Sequence, residues 1–236
     1  MSENLKYGSI SSRESIELEE KYGAHNYNPL PVVLAKGEGV FMWDPEGNRY
    51  YDFLSAYSAV NQGHCHPHII NALIDQAQQL TLTSRAFFNN RLGDFEKYIT
   101  EYFGYDMVLA MNSGAEGVET AMKLARKWAY NVKGVEKDNA IIVFAENNFH
   151  GRTIAIITAS SDPDCYEGFG PFAPGIVRVA YNDPNALKSY LEKHGKNVAA
   201  FIVEPIQGEA GVFVPDSGYL KACFDICKEH NVLFIA

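Results

Sequence analysis

Three short stretches of the chain carry residue types that could do chemistry together. Asn112-Ser113-Gly114-Ala115-Glu116-Gly117 joins an apolar run, Met107 to Met111, to a helical pattern opening Val118-Glu119-Thr120-Ala121-Met122. A turn of small residues between a strand and a helix directs unpaired N–H groups outward at the positive end of the helix dipole, which suits a phosphate. The same turn could equally serve only to reverse the chain. Asn148-Phe149-His150-Gly151-Arg152-Thr153 adds a ring, Phe149, able to stack on a flat ligand, and a guanidinium, Arg152, able to clamp a carboxylate through two parallel bonds. Against that, Phe149 could pack in the core and Arg152 pair with a nearby acid. Glu204-Pro205-Ile206-Gln207-Gly208-Glu209 supplies two carboxylates that could orient donors, hold an arginine or merely cap a turn.

The elements expected around these stretches favour chemistry. From Met107 onward strands and helices alternate. The apolar runs Met107–Met111, Ala140–Phe144, Ile176–Ala180, Ala199–Val203 and Val232–Ala236 read as strands. Helical spacing covers Ala115–Val132, Pro184–His194 and Gly218–His230. Short Val- and Ile-rich strands separated by helices predict an α/β fold with a mainly parallel sheet and helices on both faces. All three stretches then stand at or just after strand ends, and open α/β sheets bind ligands beyond the carboxyl ends of their strands.

Upstream, Ile10 to Lys21 predicts a short amphipathic helix. Two aromatic runs around Pro45-Glu46-Gly47-Asn48 predict a β-hairpin. Helical patterns follow from Pro67 and from Arg91 to Phe103. The expected organisation is an N-terminal segment over residues 1–57 and a large domain over 58–236. The last strand runs to Ala236 without a covering helix, so the large domain is expected to be incomplete at its C-terminal end.

Composition excludes several classes. A net charge of −9 argues against nucleic-acid binding, which leaves a basic footprint. No apolar run approaches the roughly 18 residues that read as a membrane span. The polar stretch from Met1 to Glu20 lacks an apolar signal core, and four scattered cysteines, Cys65, Cys165, Cys223 and Cys227, suggest reduced thiols and a cytoplasmic location. Cys223 and Cys227, four apart on a helical pattern, are expected to face the core. The alternating His64, His66 and His68 could suggest a metal, but no carboxylate stands at ligand spacing and a loop entering a helix explains them as well. No G-x-S-x-G elbow, G-x-G-x-x-G fingerprint or P-loop ending is present. A phosphate cup without those fingerprints, beside a ring that can stack, points to a phosphorylated planar cofactor.

The runs from Asn112 to Arg126, Asn148 to Thr153 and Val203 to Val212 resemble, in order and spacing, those of the class III aminotransferases. The stretches Tyr22 to Leu34, Asp52 to Pro67 and Leu82 to Phe87 resemble the ornithine-specific members of that family. The resemblance implies fold-type I and dependence on pyridoxal 5′-phosphate (PLP). It implies that Ser113, Gly114 and Ala115 hold the cofactor phosphate and that Phe149 stacks on its ring. Arg152 would bind a substrate carboxylate, Tyr27 and Tyr57 would complete an ornithine pocket, and Glu204 would lie near the cofactor. Glu209 would pair with a later arginine, releasing it when the 2-oxo acid binds. The implied substrates are L-ornithine and 2-oxoglutarate, and the implied assembly is a homodimer. One departure is Gly117, where many relatives carry alanine. The Schiff-base lysine and the aspartate that partners the pyridinium nitrogen are expected beyond Ala236, so no residue of this stretch is assigned the catalytic role.

Overall fold

In the computed structural model residues 10–236 are described, and the polar stretch beginning at Met1 lies partly outside them. The chain divides into two compact units, meeting between Tyr98 and Ile99.

The first unit opens with helix α1, Ser12–Tyr22. Ser11 caps it by accepting the Glu14 N–H while the Glu14 carboxylate reaches back to the Ser11 N–H, a capping box that satisfies two orphan donors. Strands β1 (Lys36–Glu38), β2 (Phe41–Trp43) and β3 (Arg49–Tyr51) form an antiparallel meander. The hairpin expected around Pro45–Asn48 is present as β2–β3, closed by Asp44, whose carboxylate accepts from the Asn48 N–H and the Tyr50 hydroxyl. Strand β1 was not legible, because Lys36-Gly37-Glu38 lacks apolar alternation and is placed by its pairing with β2. After a single turn, α2 (Ser55–Ser58), come α3 (Pro67–Ala77) and α4 (Leu92–Phe103), the latter running across the boundary between the units.

The second unit carries a parallel sheet. Strands β4 (Ile141–Ala145), β5 (Ile176–Val179), β6 (Val198–Ile202) and β7 (Leu233–Ile235) lie in the order β5-β4-β6-β7. Alternation along each strand sends side chains to opposite faces. Ile142, Phe144, Ala200 and Ile202 pack with Met122, Ala125 and Ala129 from α5 (Gly114–Trp128) and the π-turn that extends it through Lys133. Val143, Ala145, Phe201 and Val203 meet Leu187 and Leu191 of α8 (Pro184–His194) and Tyr219, Cys223 and Cys227 of α9 (Tyr219–Glu229) on the other face. Two further single-turn helices, α6 (Ile154–Ile157) and α7 (Pro163–Tyr166), follow β4. The expected sheet, covered on both faces, is therefore present. Cys223 and Cys227 face the core as expected, and burial pushes their thiols up to about 11 and about 12.

One strand assignment is corrected. Met107–Met111 belongs to no strand, and Met107 and Leu109 are exposed. Among the described residues no neighbouring strand takes up its backbone groups, and an apolar run without a ladder partner is not a strand. The N-terminal edge of the sheet has its own tie. The Lys133 ammonium donates to the carbonyls of Gly195 (2.7 Å), Val198 (2.7 Å) and His230 (3.3 Å), joining three connections across one end of the unit.

Candidate functional site

The site is built at the carboxyl ends of β4 and β6 and the N-terminus of α5. Ser113 is the N-cap of α5, in extended conformation, and its hydroxyl accepts the Glu116 N–H at 3.2 Å. A capping box would return the Glu116 carboxylate to the Ser113 N–H. Here it reaches past the cap to the Asn112 N–H, at 2.8 Å. Among the described residues no protein acceptor takes the N–H groups of Ser113, Gly114 or Ala115. Three donors at the positive end of a 15-residue helix constitute an anion cup.

The loop after β4 closes over this cup. Gly151 has φ +125°, a conformation side chains rarely adopt, and a Cβ there would come within 2.9 Å of the Ala115 Cβ. The Thr153 hydroxyl donates to the Glu119 carboxylate on α5 at 2.5 Å, fastening the loop to the helix. Asn148 is buried and donates through Nδ2 to the Ala145 and Ala159 carbonyls, at 2.7 and 2.8 Å. That bond pair fixes the bend from which Phe149 emerges.

Glu204 lies just beyond β6, and its Oε1 accepts the Phe149 N–H at 2.9 Å. Burial raises the Glu204 pKa; N–H groups of Phe149 and Gly208 pull it down, and the charge of Glu209 pushes it up. Gln207, fully buried, donates from Nε2 to the Glu146 carbonyl at 2.7 Å and pairs its backbone with Phe213. The turns after β4 and β6 are thus tied together by Glu204 and Gln207. Phe149 and Glu209 line one cleft of about 210 Å³, with Asn148, Ser161 and Cys165.

Arg152 is exposed, and its guanidinium carbon sits 5.9 Å from the Phe149 ring centroid. Among the described residues no carboxylate pairs with it, so its fork is available to an incoming carboxylate. His150 packs on Phe144 with 5.4 Å between ring centroids, and its buried Nε2 has no hydrogen-bond partner among the described residues. Desolvation draws its pKa down to about 4, so the ring is neutral at pH 7.

In the first unit, Tyr27 and Tyr57 are brought together from 30 residues apart, hydroxyl to hydroxyl at 3.3 Å. Reasoning from the sequence missed the roles of Asn148 and Gln207. Their signal was an uncharged amide inside a loop that follows a fully buried strand, where only backbone groups remain to be satisfied. Among the described residues no group of three or more His, Cys, Asp or Glu is placed to hold a metal ion.

These residues fit a phosphorylated planar group. The three free donors suit a tetrahedral anion, and Gly151 keeps the space beside Ala115 that a Cβ would fill. Gly151→Ala is accordingly expected to weaken PLP binding by about tenfold, equivalent to roughly 1.4 kcal/mol and within the cost of a strained backbone, in an absorbance titration. Gly117→Ala, where a new Cβ would meet nothing within 4 Å, is the matched control and leaves the affinity unchanged.

A model of the family described as aminotransferase class-III matches residues 22–236. The chain is 60% identical over 227 residues to a probable mitochondrial ornithine aminotransferase of Caenorhabditis elegans, covering 96% of this chain and 53% of that protein. It is 59% identical to the mitochondrial ornithine aminotransferase of Rattus norvegicus, covering 97% of this chain and 52% of the other. The chain thus spans about half the length of the curated relatives it matches. Among solved structures, ornithine aminotransferase from Toxoplasma gondii superposes with a TM-score of 0.92 at 49% identity, over 95% of this chain and 53% of that one. An acetylornithine aminotransferase from Elizabethkingia anophelis superposes with a TM-score of 0.83 at 62% identity, over 95% and 54%. The family is PLP-dependent, and the anion cup with its facing loop fits that cofactor. With its model matched continuously from Tyr22 to Ala236, the chain belongs to the class III aminotransferases.

Proposed function

We propose that this chain forms the cofactor-binding part of an ornithine δ-aminotransferase. The reaction moves the δ-amino group of L-ornithine to 2-oxoglutarate, giving L-glutamate 5-semialdehyde and L-glutamate. The observation that carries the reading is the N-terminus of α5, whose Ser113, Gly114 and Ala115 N–H groups have no protein acceptor among the described residues. Bound PLP supplies an electron sink at the carbon that gives up its amino group.

The residues of this chain do the rest of what is assigned here. Ser113, Gly114 and Ala115 hold the phosphate, and Phe149 stacks on the ring. Glu204 fixes the Phe149 backbone and so the stacking face. Arg152 takes a substrate carboxylate, and Tyr27 with Tyr57 shapes the donor pocket. Glu209, exposed at the rim of the Phe149 cleft, is available to hold a cationic side chain when no 2-oxo acid is bound. A homodimer is supported by large apolar side chains left bare on the first unit, Phe53 at 95% and Leu82 at 86% exposure. Four free thiols support a reducing, cytoplasmic compartment.

The likeness to an acetylornithine aminotransferase favours one second reading, in which the donor is N-acetylornithine. Adding each donor to the PLP-loaded protein separates the two. L-ornithine is expected to bleach the long-wavelength cofactor band, with N-acetylornithine and 4-aminobutyrate much slower. The reverse order makes the acetylated donor the substrate.

A further inference from the structure

Tyr57 stands on an unusual piece of backbone. Ser55, Ala56, Tyr57 and Ser58 have φ values of 50°, 48°, 56° and 70°, and none is glycine. With ψ of 51° at Ala56 and 44° at Tyr57, this is a turn of left-handed helix. L-residues visit that region singly and against steric cost, so a run of four persists only where the surroundings over-determine it.

The surroundings are Asp52 and His64. One oxygen of the Asp52 carboxylate accepts the N–H of Leu54 at 3.0 Å and of Ser55 at 2.8 Å, at the entry to the turn. The other accepts from His64 Nε2 at 2.7 Å, and only 7% of the Asp52 side chain is exposed. Asp52 is anchored in turn by its own N–H, which donates to the Val40 carbonyl at 2.9 Å. His64 is fixed by two backbone bonds with Gly39, at 2.8 and 2.9 Å. Its ring lies so close to Gly37 that a Cβ there would stand 2.7 Å from the imidazole. The dyad therefore ties both flanks of the turn to the β1–β3 meander. From that turn the Tyr57 hydroxyl meets the Tyr27 hydroxyl at 3.3 Å.

We propose that Asp52 and His64 are positioning residues for donor specificity, holding the left-handed turn that presents Tyr57 to the amino donor without touching that donor themselves. This rests on the reading of Tyr57 as part of the donor pocket. Losing either member frees the turn to relax toward right-handed backbone, which redirects the Tyr57 side chain and separates it from Tyr27. The imidazole acts here as a donor to the Asp52 carboxylate.

The test uses the PLP-loaded holoenzyme and a double-mutant cycle. His64→Ala is expected to raise KM for L-ornithine by about tenfold and to erode the preference over 4-aminobutyrate by a similar factor. KM for 2-oxoglutarate and the cofactor band should stay as they are. His64→Gln, which keeps a donor toward Asp52, should restore most of the preference, and it remains informative if His64→Ala does not fold. Hydrogen exchange at the Leu54 and Ser55 amides should accelerate in His64→Ala and not in His64→Gln. Combined with Tyr57→Ala, the His64→Ala change should add nothing further to the ornithine KM. A uniform fall in kcat for every donor, or additive effects in the double variant, would overturn the positioning role. If Tyr57→Ala alone leaves donor preference untouched, the fault lies instead with the reading of Tyr57.

Discussion

Arg152→Ala is expected to lower kcat/KM for the amino donor by about 10²–10³-fold, equivalent to roughly 3–4 kcal/mol for a lost two-pronged, charge-assisted contact. The magnitude follows from what the guanidinium does not do. Among the described residues it has no acidic partner, so its removal leaves no protein carboxylate stranded and little folding energy is at stake. It stands 5.9 Å from the Phe149 ring centroid, and an exposed cation–π pair is worth only about 0.5–1 kcal/mol. The loss should therefore fall on substrate and spare the fold. Arg152→Lys should recover only part of the rate, because an ammonium offers a point charge where the guanidinium offers a fork. Steady-state kinetics on both variants, with PLP occupancy read from the cofactor band, check this.

The second large effect is a pH dependence of stability centred on His150. Its folded pKa is depressed to about 4 by burial, against about 6.5 in an unfolded chain. Between those values the unfolded state holds a proton that the folded state does not, so stability rises with pH across the window. The contribution is complete above about pH 6.5 and is lost as pH falls toward 4, amounting to roughly 3 kcal/mol for a shift of that size. His150→Phe keeps a ring against Phe144 and removes the titration, so the difference between variant and parent in urea unfolding should shrink as pH rises from 4 to 6.5. Parallel curves for the two proteins would place the acid sensitivity elsewhere.

How much was legible in the sequence depended on how local the cause was. Helices α3, α5, α8 and α9 and strands β4 to β7 stand near their expected positions because amphipathic spacing and apolar runs are written into contiguous residues. The anion cup was legible for the same reason: a cap, small residues and a helix lie within six positions. Met107–Met111 failed because a strand is defined by its neighbour, which its own residues cannot reveal. Lys133 was opaque for a similar reason, since its three acceptors lie 62, 65 and 97 residues away. The left-handed turn at Ser55–Ser58 was hidden most completely. Its sequence contains no glycine, and its cause is a carboxylate held by a histidine 12 residues downstream. Glu204 was placed near the cofactor by resemblance, but its bond to the Phe149 backbone, 55 residues away, came only from the fold.

Proposing δ-transamination assigns one particular nitrogen. Incubating the holoenzyme with 2-oxoglutarate and L-ornithine labelled with ¹⁵N at the δ position, then analysing the products by mass spectrometry, follows that atom directly. Label is expected in L-glutamate, with none retained in the semialdehyde product. Label that stays with the ornithine-derived product while unlabelled glutamate accumulates would mean that the α-amino group is the one transferred, and would contradict the assignment.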